Sequence, residues 1–288
     1  MKFARVFIAL LFSVALATGA MAKDRGLNNA TKTFTDPKNI KPKDWSDPKE
    51  MQRAWLAAIV RVPTGKSRSK RINASALTGW SPKPIRKLPA VVYLHGCSGV
   101  WAGTHARVKF MSNLGFVVAA PASFARKKYA QSCDTKTNNA DLFRDVIRLR
   151  QNDAAYALRQ LRKLPYVDPN KIVIMGLSQG AVTTATLRPQ PGEAARIIEG
   201  WTCHAGWQEY KGFKAKASTP VLSLIGELDP WYKTKWVKGD CGRYMRKNNA
   251  SRSVVYRSGR LMKEHELLDH GQPRKEVVQF LNSLGLIE

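Results

Sequence analysis

"KIVIMGLSQGA", residues 171–181, runs a β-branched apolar stretch straight into a glycine, a serine and a second glycine. Ile172 to Met175 are apolar without interruption. A strand with one wet face alternates apolar and polar residues, so an unbroken run reads as a strand covered on both faces. The following "QGAVTTATL" reads as a helix. Between them, Gly176-Leu177-Ser178-Gln179-Gly180 matches G-x-S-x-G. Alone the pentapeptide is a weak signal; its position between strand and helix gives it meaning. Such a turn is sharp, admits only small flanking side chains, and lifts the hydroxyl above the sheet edge in front of the helix N-terminus. Ser178 is therefore a candidate nucleophile rather than a polar residue in an ordinary turn.

The same rhythm repeats on both sides. "AVVYLHG" (90–96) and "FVVAAPA" (116–122) read as buried strands, "HARVKFMSNLG" (105–115) and "DLFRDVIRLRQNDAAYALRQLRKL" (141–164) as helices. On the long helix Val146, Leu149, Ala157 and Leu161 share one side with Asp153, which predicts a buried or half-buried carboxylate held by an arginine. Beyond the elbow, "RIIEGWTC" (196–203), "PVLSLIGELD" (220–229) and "SVVYRSG" (253–259) read as strands. A helix is expected to begin near Trp231, and a last one covers "PRKEVVQFLNSLG" (273–285). Strands joined by helical crossovers predict an α/β fold, a mostly parallel central sheet with helices on both faces. Ahead of it, "AWLAAIVRVP" (54–63) reads as a first strand ended by Pro63. "GKSRSKRINAS" (65–75), rich in glycine, serine and charge, reads as a loop.

Residues 1–22 combine basic Lys2 and Arg5, an apolar run from Phe7 to Ala17 and the small-residue site Ala20-Met21-Ala22. That is the pattern of a secretory signal peptide, cleaved after Ala22 to leave Lys23 first. Its apolar core falls well short of the roughly 20 residues a membrane-spanning helix needs. Residues 23–55 are polar and proline-dotted, an extended surface lead with a short helix near Glu50; residues 56–288 read as one domain. An exported chain, periplasmic or secreted, meets oxidising conditions, and its four cysteines, Cys97, Cys133, Cys203 and Cys241, then form disulfides. With 44% hydrophobic residues the 288-residue chain is not a disordered one. Forty-eight basic against 21 acidic residues give a net charge of +27. The surplus is spread from "KPK" (41–43) to "RYMRK" (243–247), with no dense patch for a specific nucleic-acid site. It serves solubility, or at most non-specific attraction to anionic envelope polymers.

A serine hydroxyl attacks only when a base takes its proton, so an acid and a histidine should follow Ser178 in that order. Asp229 ends a strand just before Pro230, at the edge where Ser178 is expected; Glu227 is the structural alternative. Asp153 and Asp168 precede the serine and suit core and turn roles. Two histidines, His265 and His270, stand in "MKEHELLDHGQPRKEVVQFL" (262–281). His265 follows the last strand more closely and is preferred; His270 stays open, and the unused one is expected to be solvated. His105 and His204 read as helix-surface and strand-end residues. His95 belongs to "YLHGCSG" (93–99), where the backbone N–H of Cys97 or Ser98 can pair with that of Gln179 to hold an oxyanion. No spacing suits a metal ion, and this chemistry needs no cofactor.

The stretches "VVYLHGCSG" (91–99), "GFVVAAPASFARKKYAQSC" (115–133), "RLRQNDAAYALRQLRKLPYVDPNKIVIMGLSQGA" (148–181) and "PVLSLIGELDPWY" (220–232) together resemble the α/β-hydrolase superfamily and, within it, the dienelactone hydrolase-like families. The resemblance covers roughly residues 89–285. It implies the α/β-hydrolase fold and an exported serine hydrolase that cleaves carboxylic esters or related acyl bonds, its substrate a small-molecule or polymer ester. Three departures stand out. Founding dienelactone hydrolases use a cysteine nucleophile where this chain has Ser178. Ala181 replaces a common second glycine, and Ala122 an aspartate common before Ser-Phe. The strand order of the superfamily also implies the pairings Cys97–Cys133 and Cys203–Cys241. Trp101, Trp201, Trp207 and Trp231 are candidates for an acyl or aromatic pocket, or for core packing; Arg126 reads as a solvated arginine rather than a contact for an acidic substrate. Two other classes remain: an inactive hydrolase-like scaffold binding anionic polymers, and an acyltransferase using the same triad.

Overall fold

The computed structural model describes residues 34–140, 143–246 and 250–287; the signal-peptide reading of residues 1–22, with Lys23, lies outside the described residues. In chain order the elements are α1 (Pro42–Trp45), α2 (Pro48–Leu56), β1 (Ile59–Gly65), β2 (Arg68–Ile72), β3 (Leu88–Leu94), α3 (Ala102–Asn113), β4 (Val117–Ala120), β5 (Cys133–Asp134) and β6 (Asn139–Ala140). They continue with α4 (Arg144–Arg162), β7 (Val167–Leu177), α5 (Gln179–Thr186), β8 (Glu193–Glu199), β9 (Val221–Gly226), β10 (Arg252–Tyr256) and α6 (Gly271–Ser283).

The unbroken apolar runs form the middle of an eight-stranded sheet in the order β10-β9-β8-β7-β3-β4-β1-β2. All neighbours run parallel except β1, which is antiparallel to both β4 and β2. Alternate side chains of β3 enter two different layers. Val91 and Tyr93 pack in one cluster with Val108 and Met111 of α3 and Phe280 and Leu281 of α6. Ala90, Val92 and Leu94 pack in the other, with Ala154, Ala157, Leu158 and Leu161 of α4. Each large apolar side chain removed from water in this way contributes about 1.5–3 kcal/mol before the entropy of ordering is charged against it. This is the α/β-hydrolase fold. Its register matters for function: Leu94 pairs with Gly176, so the loop after β3 emerges beside the turn that carries Ser178. Leu177 pairs with Glu199, and Glu199 with Leu224, which brings the ends of β8 and β9 to the same edge.

Several expectations need correction. Ala54 to Leu56 belong to α2, and the first strand starts only at Ile59 and passes through Pro63 to Gly65. Pro63 is tolerated because β1 is irregular there, its pairing with β2 shifting between Pro63 and Gly65. Residues 68–72, read as loop, are strand β2. Its Arg68, Lys70 and Arg71 are exposed, as suits an edge strand that must not recruit another chain. The lead is less extended than expected, since it forms α1 and α2 and buries Ile40, Met51 and Trp55. No helix begins near Trp231: described residues between β9 and β10 form turns and one 3₁₀ turn, Gly242–Tyr244. Cys203–Cys241 staples that segment and Cys97–Cys133 the β5–β6 hairpin, closing intervals of 36 (Cys97–Cys133) and 38 (Cys203–Cys241) residues. Each closure is worth up to about 4 kcal/mol in the chain-entropy account.

Arg126 is not solvated. It is 1% exposed and donates from Nε and Nη2 to the buried Asp153 carboxylate at 2.7–3.1 Å, and from Nη1 to Asp44 O. Asp153 thus has the arginine partner its place on α4 demanded. Removing one member of a buried pair strands the other charge, so Arg126→Met should lower the unfolding free energy by about 3–5 kcal/mol in urea titrations. A loss below about 1 kcal/mol would contradict the pairing's structural role.

Candidate active site

Ser178 sits at φ +55°, ψ −120°, a conformation an L-residue adopts only when its surroundings impose it. The surroundings are glycine contacts. A Cβ on Gly176 would lie 2.3 Å from Gly180 O, and one on Gly180 only 2.0 Å from Leu94 O. With both positions bare, α5 starts directly against the ends of β7 and β3. The Ser178 amide donates to Glu199 O at 2.9 Å, and Ser178 O accepts from Val182 N at 2.9 Å. The serine side chain is left half-buried, lining a cavity of about 390 Å³ with Gly96, Cys97, Ser98, Trp101 and His265.

His265 Nδ1 and Asp229 Oδ2 are 2.6 Å apart, both residues buried. The other carboxylate oxygen, Oδ1, accepts from Trp231 N at 3.0 Å, so Asp229 is oriented at both ends. A carboxylate can only accept here, which places the proton on Nδ1 and leaves Nε2 as the imidazole's lone-pair nitrogen. Nε2 is buried without a hydrogen-bond partner among the described residues. The Trp231 ring stacks at a tilt 5.2 Å from the imidazole. Gly200, at φ +64°, admits the approach: a Cβ there would fall 2.9 Å from His265 O.

The remaining candidates separate cleanly. Glu227 is exposed and pairs with Arg257 at 3.3 Å, away from the imidazole. His270 is not solvated; it caps the start of α6, half-buried, with Nε2 3.1 Å from Glu264 Oε2. His105 is half-buried on α3, and His204 lies in the loop beyond β8 with Nδ1 2.7 Å from Thr202 O. Asp168, read as a turn residue, lies in the irregular first part of β7, where its Oδ1 accepts from Asn170 N. Cys97 and Ser98 line the cavity beside Ser178, while Gln179 begins α5, where the first amides of a helix lack intrahelical partners. Of the tryptophans, Trp101 and Trp231 line the cavity, Trp201 is core, and Trp207 is exposed beneath the Arg144 guanidinium. Ala181 is fully buried in α5, and Ala122 is buried at the end of β4. Among the described residues no group of three His, Cys, Asp or Glu side chains is arranged to hold a metal ion.

Sequence reading missed one whole side of the cavity. Thr135 and Asn138 reach it from the β5–β6 hairpin, and Lys263, Glu264, Glu266 and Asp269 from the histidine loop. Beneath that loop Arg107 is fully buried, donating to both Glu199 oxygens at 2.6–2.8 Å and to Asp269 Oδ1 at 2.7 Å. Leu268 N donates to the same Glu199, so this cluster fixes the histidine loop to the end of β8. One signal was present: Glu199 ends an apolar run in "RIIEG", and a charge in that position needs a partner.

Burial pushes the Glu266 carboxyl up to about 7; Arg107 opposes the shift, and Asp269 and Glu199 add to it. The folded protein therefore holds a proton on Glu266 that the unfolded chain has already released. Stability from this group is complete below about pH 4.5 and is lost as the pH rises through about 7. Relative to Glu266→Gln, the unfolding free energy of the parent protein should fall by on the order of 2 kcal/mol between pH 4.5 and 8, read from urea titrations across that range. A pH-independent difference would contradict it.

The model of the "Dienelactone hydrolase family" matches residues 75–259, well over half of the chain. A crystal structure of a putative dienelactone hydrolase from Klebsiella pneumoniae is similar at 18% identity, TM-score 0.47, over 69% of this chain and 90% of that one. The butyrate-bound esterase Est2 of Thermogutta terrifontis is similar at 17% identity, TM-score 0.48, over 72% of this chain and 88% of that one. No curated protein matches the sequence. The extent of the family match and the strand order carry the conclusion: the chain belongs to the dienelactone hydrolase family, hydrolases of ester-type bonds.

Proposed function

We propose that the protein is an exported serine hydrolase that cleaves carboxylic esters through Ser178, His265 and Asp229. One observation carries this reading. An imidazole held at 2.6 Å by a buried carboxylate keeps its Nε2 unpartnered and lines the same cavity as a serine in a strained turn.

The chemistry follows from those positions. Nε2 takes the Ser178 proton as Oγ bonds to the ester carbonyl carbon, and the carbonyl π electrons move onto oxygen. The resulting oxyanion is held by the amides of Gln179 and of Cys97 or Ser98, donors that cost little reorganisation because they belong to the backbone. Asp229 accepts from Nδ1–H throughout and stabilises the imidazolium without taking its proton. Collapse of the intermediate breaks the bond to the alkoxy oxygen, which leaves as an alcohol with the proton from Nε2. Water then repeats the sequence on the acyl-enzyme, releasing the acid and restoring Ser178. Two disulfides among four cysteines support an oxidising compartment, and with the 1–22 pattern they support export.

Hydrolysis of short p-nitrophenyl esters should vanish in Ser178→Ala and fall about 10⁴-fold in kcat in Asp229→Asn, the size expected when the imidazole loses its tautomer control. His265→Ala should be as damaging as Ser178→Ala, whereas His270→Ala should stay within about threefold of the parent. Ester turnover surviving in Ser178→Ala, or a His270 variant more damaged than the His265 one, would overturn the assignment. Protein purified from the cell envelope should begin at Lys23 by N-terminal sequencing; a retained Met1 would contradict export by this signal.

A further inference from the structure

Arg150 lies on α4, 1% exposed, and spends its hydrogen bonds on neutral oxygens. Nη2 donates to His95 O, and Nη1 to Gln179 Oε1 at 2.6 Å and to Gly96 O at 3.4 Å. A buried guanidinium without a bonded carboxylate is costly, so a merely structural site would more readily be apolar. These three acceptors share one property: each belongs to a segment that carries a candidate oxyanion donor.

The geometry of the peptide group makes this consequential. The Gly96–Cys97 peptide is trans, so its C=O and N–H point in opposite directions. Gly96 O is held on the protein side by Arg150, by the Gly99 amide at 3.3 Å and by His95 Nδ1 at 2.7 Å. The Cys97 N–H of the same plane is thereby turned the other way, toward the cavity that Cys97 and Ser178 line. His95 acts as a fixed neutral donor, since burial and the Arg150 charge bring its pKa down to about 3. On the other segment, Gln179 is clamped at both ends of its amide. Oε1 receives Arg150 and Tyr129 Oη, and Nε2 donates to Ser132 Oγ at 2.6 Å. Ser132 adjoins Cys133, which is bonded to Cys97. Arg150, Gln179, Ser132, Cys133, Cys97 and Gly96 therefore form a closed ring beneath the serine.

We propose that Arg150 is the positioning residue of the oxyanion hole, holding the Gly96 carbonyl and the Gln179 side chain from beneath so that the Cys97 and Gln179 amides converge on Ser178. The inference rests on the serine-hydrolase reading above. Arg150 touches no substrate; it acts through the two backbone amides.

The test compares Arg150→Met, Arg150→Lys and Ser132→Ala with the parent, using p-nitrophenyl butyrate and an alkyl trifluoromethyl ketone, whose hemiketal with the Ser178 hydroxyl carries an oxyanion like that of the tetrahedral intermediate. Arg150→Met should lower kcat by about 10²-fold, the cost of mis-aiming one oxyanion donor, with KM within about threefold. The Ki of the ketone should rise by the same factor as kcat falls. Arg150→Lys, which keeps the charge but not the fork, should recover only part of the loss. The acid limb of the kcat/KM profile should not move, because Asp229 and His265 are untouched. Should Arg150→Met fail to fold, Ser132→Ala keeps the arginine and releases only Gln179 Nε2, and should give a drop of about threefold to tenfold with the same parallel rise in Ki. Unchanged kcat in these variants, or a fall in kcat with unchanged ketone binding, overturns the inference. Failure of the underlying reading looks different: the parent protein itself neither turns over the ester nor binds the ketone.

Discussion

A contact too close for any side chain organises this molecule: the bare Cα of Gly180 lies against the carbonyls that end β3. Helix α5 can start there only because Gly180 and Gly176 both lack a Cβ. That start forces Ser178 into its unfavourable backbone well, at a cost of about 1–3 kcal/mol. The parallel sheet supplies the compensation. Strands β3, β7, β8 and β9 are covered on both faces and end at one edge, so the loops that follow them converge whatever their own sequences prefer. The candidate nucleophile, oxyanion donors, acid and imidazole come from four different loops at that edge, the arrangement open α/β sheets favour for ligand sites.

Charge plays two unrelated parts. The net charge of +27 is not all surface charge, since several of the arginines that produce it are interior. Arg107, Arg126, Arg150 and Arg196 are among the largest fully buried side chains; the first three tie a loop or strand end to something distant in sequence, and Arg196 ties β8 to the helix just before it. Arg107 joins α3 to Glu199 and Asp269; Arg126 joins the loop after β4 to Asp153; Arg196 pairs with Glu193 and with carbonyls at the end of α5. The cavity lining reverses the overall balance, with Lys263 against Glu264, Glu266 and Asp269. The basic excess is thus not gathered at the site where the chemistry is proposed.

How much of this can be read from the chain follows from range. Buried parallel strands declare themselves because both faces must be apolar, and the elbow declares itself because glycine is needed at fixed offsets from Ser178. Asp229 is legible for a local reason too, standing before a proline in the turn that follows β9. Edge strand β2 is not, because its solvent face and loop chemistry have the same composition. The segment after Asp229 looks helical in part, yet its shape is dictated by Cys241 and by the Tyr232 hydroxyl donating to Gly200 O, neither of which is local. The choice between His265 and His270 is equally non-local: the two stand five residues apart, and only the fold brings one to Asp229 and the other to Glu264. The roles of Arg107, Arg126 and Arg150 depend on partners 27 to 162 positions away, beyond any periodicity.

In the function proposed above, convergence at one sheet edge makes a single alcohol in this chain reactive. Reaction with a fluorophosphonate, followed by intact mass and peptide mapping, measures that directly. One adduct per chain is expected, on the peptide that contains Ser178, formed far more slowly when His265 is replaced by alanine. An ester-cleaving protein that forms no adduct, or carries it on another residue, would contradict that role for Ser178.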